Sequence, residues 1–223
     1  MRILALVTDA FGGYGGIALY NRDFLKSLCV HPKVTEVVAI ARCAAEHSDK
    51  YPVGLKYDVS GISNAHSFLK AIIRNLINNQ KFDLIICCHI NLMPLAWLIG
   101  KLLRKPVVLE IYGIEAWQPT GRWMSDYLSA SAKIVISISE YTRVRYLSWS
   151  KLSDEKCKLL PNAIHAEKYG IGLKSEKLIK RYGLQGKKCL LTFGRIVSKE
   201  RAKGFDEVLE LLPELLKIGR AHV

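Results

Sequence analysis

The sequence runs ILALVTDAFGGYGGIALYNRDFLKSLC from Ile3 to Cys29, and its character changes twice along this stretch. Ile3–Thr8 is an aliphatic run of strand length, whereas the apolar residues after Ile17 recur with helical spacing. Four glycines within five residues separate these two parts. Glycines between a strand and a helix let backbone N–H groups approach a phosphate at the helix N-terminus. The stretch therefore predicts a strand, a phosphate-binding loop and a helix.

The same alternation continues along the chain. Further strands are predicted at Val34–Ala41, Val53–Val59, Asp83–Ile90, Pro106–Tyr112, Lys133–Ile138 and Cys157–Leu160. Helices are predicted at Ala65–Gln80, up to Leu103, at Arg122–Ala130, and at Glu140–Trp149 with Ser139 as N-cap. Strands that alternate with helices form a parallel sheet covered on both faces. The sequence therefore predicts an α/β protein with a doubly wound, Rossmann-like parallel sheet.

The pattern stops and then restarts toward the C-terminus. We expect a first domain over residues 1–172, a Lys-rich linker over 173–187 and the start of a second domain over 188–217. That start holds one strand, Cys189–Phe193, and one helix, Gly204–Leu216, and such a pair cannot bury a core by itself. We therefore expect the second domain to continue beyond this chain. Residues 218–223, IGRAHV, resemble the translation of a sequencing-library adapter and are expected to be a non-native tail; the alternative is a natural tail.

Composition limits the classes of protein to which this chain can belong. The chain of 223 residues is 50% apolar and carries a formal charge of +13. Its first residues lack the pattern of a secretory signal, and no apolar run approaches the roughly 20 residues that span a bilayer. Its six cysteines show no C-x-x-C spacing, so we expect no metal site. These features predict a cytoplasmic protein.

The positive charge predicts an anionic partner, which is a phosphorylated substrate, an anionic membrane or a nucleic acid. The basic residues are dispersed without an aromatic stacking array, so we expect no nucleic acid. Basic clusters at Lys101, Arg104 and Lys105 and along His66–Lys81 would suit peripheral binding to an anionic membrane. A solvated basic surface has the same composition and stays open as the alternative.

Polar side chains follow several predicted strands at their carboxyl ends, where open α/β sheets bind ligands. His89 is interpreted as lining a ligand-binding cleft or as a structural histidine. Glu115 either orients a ligand hydroxyl or caps the turn that follows. Asp9 and Asn21 are further candidates for the cleft. Three tryptophans either stack on a ligand or pack against the protein, namely Trp117, Trp123 and Trp149.

The glycine loop also fits a dinucleotide site. Gly13, Gly15 and Ala18 match the fingerprint G-x-G-x-x-G/A. The second predicted strand ends without the acidic residue that would hold a ribose, but Arg42 follows it and could meet a 2′-phosphate. An NADP-dependent oxidoreductase therefore stays open.

Five segments carry a family resemblance. They are TDAFGGYGGIALYNRDFL, YGIEAW, SISEYT, LPNAI and FGRIVSKERAKGFDEVLE. In this order they resemble bacterial family-4 glycosyltransferases, which are retaining enzymes of the GT-B fold, and the resemblance covers residues 1–217. It implies two Rossmann-like domains with a cleft between them. The first domain would hold mainly the acceptor and the second mainly the nucleotide-sugar.

The resemblance also implies roles for particular residues. Gly15 and Gly16 would face the donor phosphates, and Arg195 with Lys203 would neutralise the diphosphate without a metal. The leaving nucleoside diphosphate gains charge as the glycosidic bond breaks, and cations or helix N-termini must meet that charge.

One position, Tyr112, departs from the family's pattern. Gly113 follows it and, like Asp9, Asn21 and His89, is expected in the acceptor cleft. Tyr112 stands where the family usually has a histidine that contacts the transferred sugar. Tyrosine can donate and accept a hydrogen bond but lacks the proton chemistry of histidine near neutral pH. Tyr112 and Glu115 are therefore the catalytic candidates.

The implied substrates follow from the same resemblance. The donor would be a UDP- or GDP-sugar with no separate cofactor, and the acceptor a polysaccharide or a lipid-linked saccharide. The reaction would take place in the cytosol or at the inner face of a membrane. We expect this chain alone to be nearly inactive, because most donor contacts would come from the second domain. A fragment that only binds an anionic membrane surface stays open as well.

Overall fold

The computed structural model describes residues 1–13, 15–43, 51–78, 81–194 and 204–220. The chain divides into two compact units, Met1–Ile164 and His165–Val223. Within the described ranges, no helix is long and apolar enough to cross a bilayer.

The first unit is built around seven parallel strands. They are β1 (Arg2–Val7), β2 (Glu36–Ala41), β3 (Leu55–Asp58), β4 (Leu84–Cys88), β5 (Val107–Ile111), β6 (Ile134–Ser137) and β7 (Cys157–Leu159). Their order in the sheet is β3-β2-β1-β4-β5-β6-β7, and all neighbouring pairs are parallel. The chain therefore reverses its direction of travel across the sheet between β1 and β4. This order confirms the doubly wound, Rossmann-like fold, whose ligands bind beyond the carboxyl ends of the strands at such a reversal.

Helices connect the strands and cover both faces of the sheet. In the first unit they are α1 (Gly16–Val30), α2 (Ala65–Asn78), α3 (Met93–Leu103), α4 (Trp123–Ser129) and α5 (Glu140–Ser150). Successive residues of β1 pack into two separate apolar clusters, with Leu4 in one and Ile3 in the other. Cys87 and Cys88 likewise lie on opposite faces. The strands are apolar at successive positions because both faces are buried.

A helix cap and a turn determine two of the element boundaries. Ser139 caps α5 as predicted, because its hydroxyl accepts the Thr142 N–H at 3.1 Å. β4 ends at Cys88 instead of continuing to Ile90, because the chain turns at His89 into a short 3-10 helix, Ile90–Leu92. This turn sets His89 at the carboxyl end of β4.

The second unit contains α6 (Glu176–Tyr182) and α7 (Phe205–Arg220). The predicted strand Cys189–Phe193 is wrong, because these residues have no regular secondary structure. A strand needs a neighbour for its backbone N–H and C=O groups, and the described part of this unit includes no strand. The predicted helix from Gly204 is confirmed as α7, which extends past Leu216.

Candidate functional site

The N-terminus of α1 lies open at the carboxyl edge of the sheet, beside the reversal between β1 and β4. Gly15 is its N-cap, with φ −79° and ψ 162°, and no described side chain caps the helix. Both Gly15 and Gly16 are exposed, and no described atom lies within 4 Å of the position that a Cβ would take on either. The first N–H groups of a helix have no intrahelical acceptor, and the helix dipole makes this end positive. The position can therefore receive a phosphate.

Hydrogen bonds from the Asp9 and Arg22 side chains stabilise the loop before α1. The Asp9 carboxylate accepts the Gly12 N–H at 3.2 Å, and the Arg22 guanidinium donates to the carbonyls of Ala10 and Gly13, each at 3.1 Å. A Cβ on Gly13 would lie 2.0 Å from Asp9 Oδ2. Gly13 is therefore required by close packing, whereas Gly15 and Gly16 leave clearance for a ligand.

A buried polar network lies beneath this loop. The Tyr112 hydroxyl is 2.6 Å from Asn21 Oδ1 and 3.0 Å from Glu110 Oε2. Asn21 donates its amide N–H to the Asp9 carbonyl at 2.8 Å, so its Oδ1 is the atom that accepts from Tyr112. Asn21 has no exposed surface, and Tyr112 is 7% exposed. The network thus joins β5 to the glycine loop through two buried side chains.

Glu110 lies against the Tyr112 hydroxyl, which has three possible acceptors. Its single hydrogen can be donated to Asn21 Oδ1 at 2.6 Å, to Glu110 Oε2 at 3.0 Å or to the Cys88 carbonyl at 3.1 Å. The other carboxyl oxygen, Oε1, is buried without a hydrogen-bond partner among the described residues. Burial raises the pKa of Glu110 to about 7. Glu110 is therefore a buried carboxyl that is mostly neutral below about pH 7.

Two further side chains lie at the carboxyl ends of β4 and β5. Glu115 Oε1 accepts the backbone N–H groups of Tyr112 at 2.5 Å and Gly113 at 3.1 Å, which is the geometry of the turn-capping alternative. His89 Nδ1 accepts the Asn91 N–H at 3.1 Å, so Nε2 carries the proton of the neutral ring. Burial lowers the pKa of His89, while the charge of Glu115 opposes that shift. His89 is therefore a neutral, half-buried hydrogen-bond donor near pH 7.

The remaining predicted residues either lie outside the described part of the chain or pack within the protein. Arg195 and Lys203 lie outside the described residues. Trp117 donates its indole N–H to Thr142 Oγ1 at 3.1 Å and Trp149 to the Ala116 carbonyl at 3.0 Å, so both serve packing. Our sequence reasoning did not select Glu110, although a single acid within the apolar run VVLEI is an available signal.

Comparison with known proteins adds a family and a fold. The family model described as Glycosyltransferase Family 4 matches residues 14–168. Crystal structures of HepE from Anabaena are similar to this chain: in the UDP complex at 16% identity and TM-score 0.59 over 82% of this chain, and in the UDP-glucose complex at 14% identity and TM-score 0.59 over 83%. The chain spans about half the length of those structures, covering 50% of each. No protein of curated function matches the chain.

Proposed function

The chain belongs to glycosyltransferase family 4, and on that premise we propose that it supplies part of the site at which a sugar moves from a nucleotide-sugar to a saccharide acceptor. The observation that supports this proposal most directly is the open, uncapped N-terminus of α1 at Gly15 and Gly16. It lies where strand order reverses, which is the ligand-binding position of doubly wound sheets.

In this proposal the α1 N-terminus stabilises the leaving group. As the glycosidic bond breaks, negative charge accumulates on the diphosphate, and N–H groups that already point at that position lower the barrier. Arg195 and Lys203 supply the balancing cations in place of a metal. As the family resemblance implies, the transfer proceeds with retention of the anomeric configuration. The donor is a UDP- or GDP-sugar.

On the acceptor side, His89 and Glu115 are the groups closest to the chemistry. Neutral His89 donates a hydrogen bond from Nε2 to an acceptor hydroxyl, and Asp9 and Gly113 belong to the same acceptor cleft. Glu115 holds the Tyr112–Gly113 backbone. Tyr112 and Asn21 act as positioning residues, because their polar atoms are engaged with Glu110 and Asp9.

The proposal extends to the acceptor and to the location of the reaction. The acceptor is a polysaccharide or a lipid-linked saccharide, at the cytoplasmic face of a membrane. The supporting observation is a stripe of exposed aliphatic side chains on α2, formed by Leu69, Ile73 and Ile77, beside exposed Lys70. An apolar stripe flanked by basic residues is typical of helices that lie on anionic membranes.

Binding of free nucleotides tests the central step. UDP and GDP titrated into this chain at millimolar concentrations should bind weakly, as followed by ³¹P NMR. Gly16→Ala should leave the fold unchanged, because no described atom lies within 4 Å of the new Cβ, and it is the reference for the charged variant. Gly16→Asp should weaken binding by about tenfold or more, since it sets a carboxylate against the phosphate.

Two results would count against the proposal. One is nucleotide binding that is the same in Gly16→Asp and Gly16→Ala. The other is tighter binding of NADP⁺ than of UDP or GDP, which would favour the oxidoreductase alternative with Arg42 at the 2′-phosphate.

A further inference from the structure

A second concave site lies at the opposite edge of the sheet from Gly15 and His89. Its cavity of about 500 Å³ is lined by the residues that precede β5, β6 and β7 and by the end of α3. β5 runs from Val107 to Ile111, which separates the two edges by about 15 Å. We call this cavity the basal pocket; its cations are Lys101, Arg104, Lys105, Lys133 and Lys156.

The basal pocket collects positive charge that is only partly compensated. Its described lining residues include no Asp or Glu. Lys105 forms an ion pair with Asp83 at 3.5 Å, outside the lining, and the Lys101 ammonium lies 5.7 Å from the centre of the Trp97 ring. Like charges that converge on a concave surface repel one another and concentrate a positive potential there. A bound anion relieves this repulsion.

The backbone of Arg104 supports the same conclusion. Arg104 ends α3 in the left-handed conformation, with φ 53°, and its N–H bonds to the carbonyls of Gly100 and Lys101. Glycine or asparagine usually takes this position, because other side chains are strained there. Arg104 therefore lines the pocket from a backbone conformation that arginine rarely adopts.

We infer that the basal pocket is a binding site for a phosphate-bearing group, separate from the nucleotide position at α1. A guanidinium can bind a phosphate through two parallel N–H bonds, and the surrounding ammonium groups add point charges. Leu98 and Leu102 lie on the same face of α3 as Lys101 and are 47% and 69% exposed. The phosphate therefore belongs either to an anionic lipid head group, which would use these leucines, or to a free phosphate compound, which would not.

The test uses a variant that removes charge without weakening the fold. Arg104→Gly relieves the left-handed strain, so Arg104→Gly/Lys133→Gln should unfold at a temperature no lower than that of the parent. Lys177→Gln/Lys180→Gln removes the same charge from exposed positions of α6 and is the matched control. Binding of inorganic pyrophosphate is measured by calorimetry, and binding of phosphatidylglycerol/phosphatidylcholine vesicles by sedimentation.

We expect the basal-pocket variant to bind pyrophosphate or the vesicles at least about tenfold more weakly than the parent, and the control to change by less than about twofold. Leu98→Ser/Leu102→Ser separates the two sources. If this variant loses vesicle binding but keeps pyrophosphate binding, the phosphate belongs to a lipid head group. If the parent does not bind vesicles and pyrophosphate binding is unchanged in the variant, it belongs to a free phosphate compound. Equal effects of the basal-pocket variant and the control would overturn the inference, as would absence of binding to both probes. Nucleotide binding at α1 should be unchanged in the variant, so failure here is distinguishable from failure of the proposed function.

Discussion

Replacing Glu110 with glutamine tests whether a neutral carboxyl lies beneath the glycine loop. Glu110 is fully buried, and its pKa is raised from 4.5 to about 7. The folded chain therefore holds a proton that the unfolded chain releases between these two pH values. Its contribution to the free energy of unfolding is complete below about pH 4.5 and decreases as the pH rises to about 7.

The size of this effect follows from the shift. The two pKa values differ by 2.5, and a difference of one in pKa corresponds to about 1.4 kcal/mol. The free energy of unfolding therefore changes by about 3 kcal/mol. Glu110→Gln keeps the shape and a polar contact with the Tyr112 hydroxyl, but it does not ionise. Relative to the parent, the variant should thus gain up to about 3 kcal/mol of stability between about pH 5 and pH 8.

Urea unfolding followed by tryptophan fluorescence measures this difference at a series of pH values. Other titrating groups are common to both proteins and cancel in the comparison. Glu155→Gln, at an exposed carboxyl, is the matched control and should show no such trend. A parent-minus-variant difference that stays constant over this range would refute the raised pKa of Glu110.

Three further substitutions test packing and capping. Gly13→Ala brings a Cβ within 2.0 Å of Asp9 Oδ2, so it should destabilise the chain by about 1–3 kcal/mol in urea unfolding and weaken UDP binding. Gly100→Ala brings a Cβ within 2.5 Å of Val107 Cγ2 and should cost a similar amount of stability without changing UDP binding. Ser139→Ala removes the N-cap of α5 and should lower the free energy of unfolding by about 1 kcal/mol.

Matched controls separate these causes. Gly16→Ala is the control for both glycine substitutions, because it adds the same methyl group in open space. Ser139→Thr retains a hydroxyl acceptor and should recover most of the loss caused by Ser139→Ala. Wild-type stability in Gly13→Ala or Gly100→Ala would show that the neighbouring atoms move aside freely, and wild-type stability in Ser139→Ala would show that the cap is dispensable.

Much of the fold could be predicted from the sequence because it depends on local patterns. Aliphatic runs and helical periodicity predicted the parallel sheet, and Ser139 marked the start of α5, since a cap acts on the N–H groups of the next few residues. The glycines of the first loop indicated the open N-terminus of α1 in the same way. The strand predicted at Cys189–Phe193 failed because a strand also needs a partner, which local sequence does not supply.

The buried network at Tyr112 could come only from the tertiary structure. From sequence, Tyr112 was interpreted as a group facing the sugar and Asn21 as a cleft residue. The two are 91 positions apart, yet the packing of α1 against the sheet brings their polar atoms to 2.6 Å, beside a carboxyl whose pKa is raised by burial. Hydrophobic periodicity shows which face of an element is buried, so the sequence by itself determined the order and type of the elements. Which polar atoms meet inside depends on contacts between distant elements, and only the tertiary structure decided that.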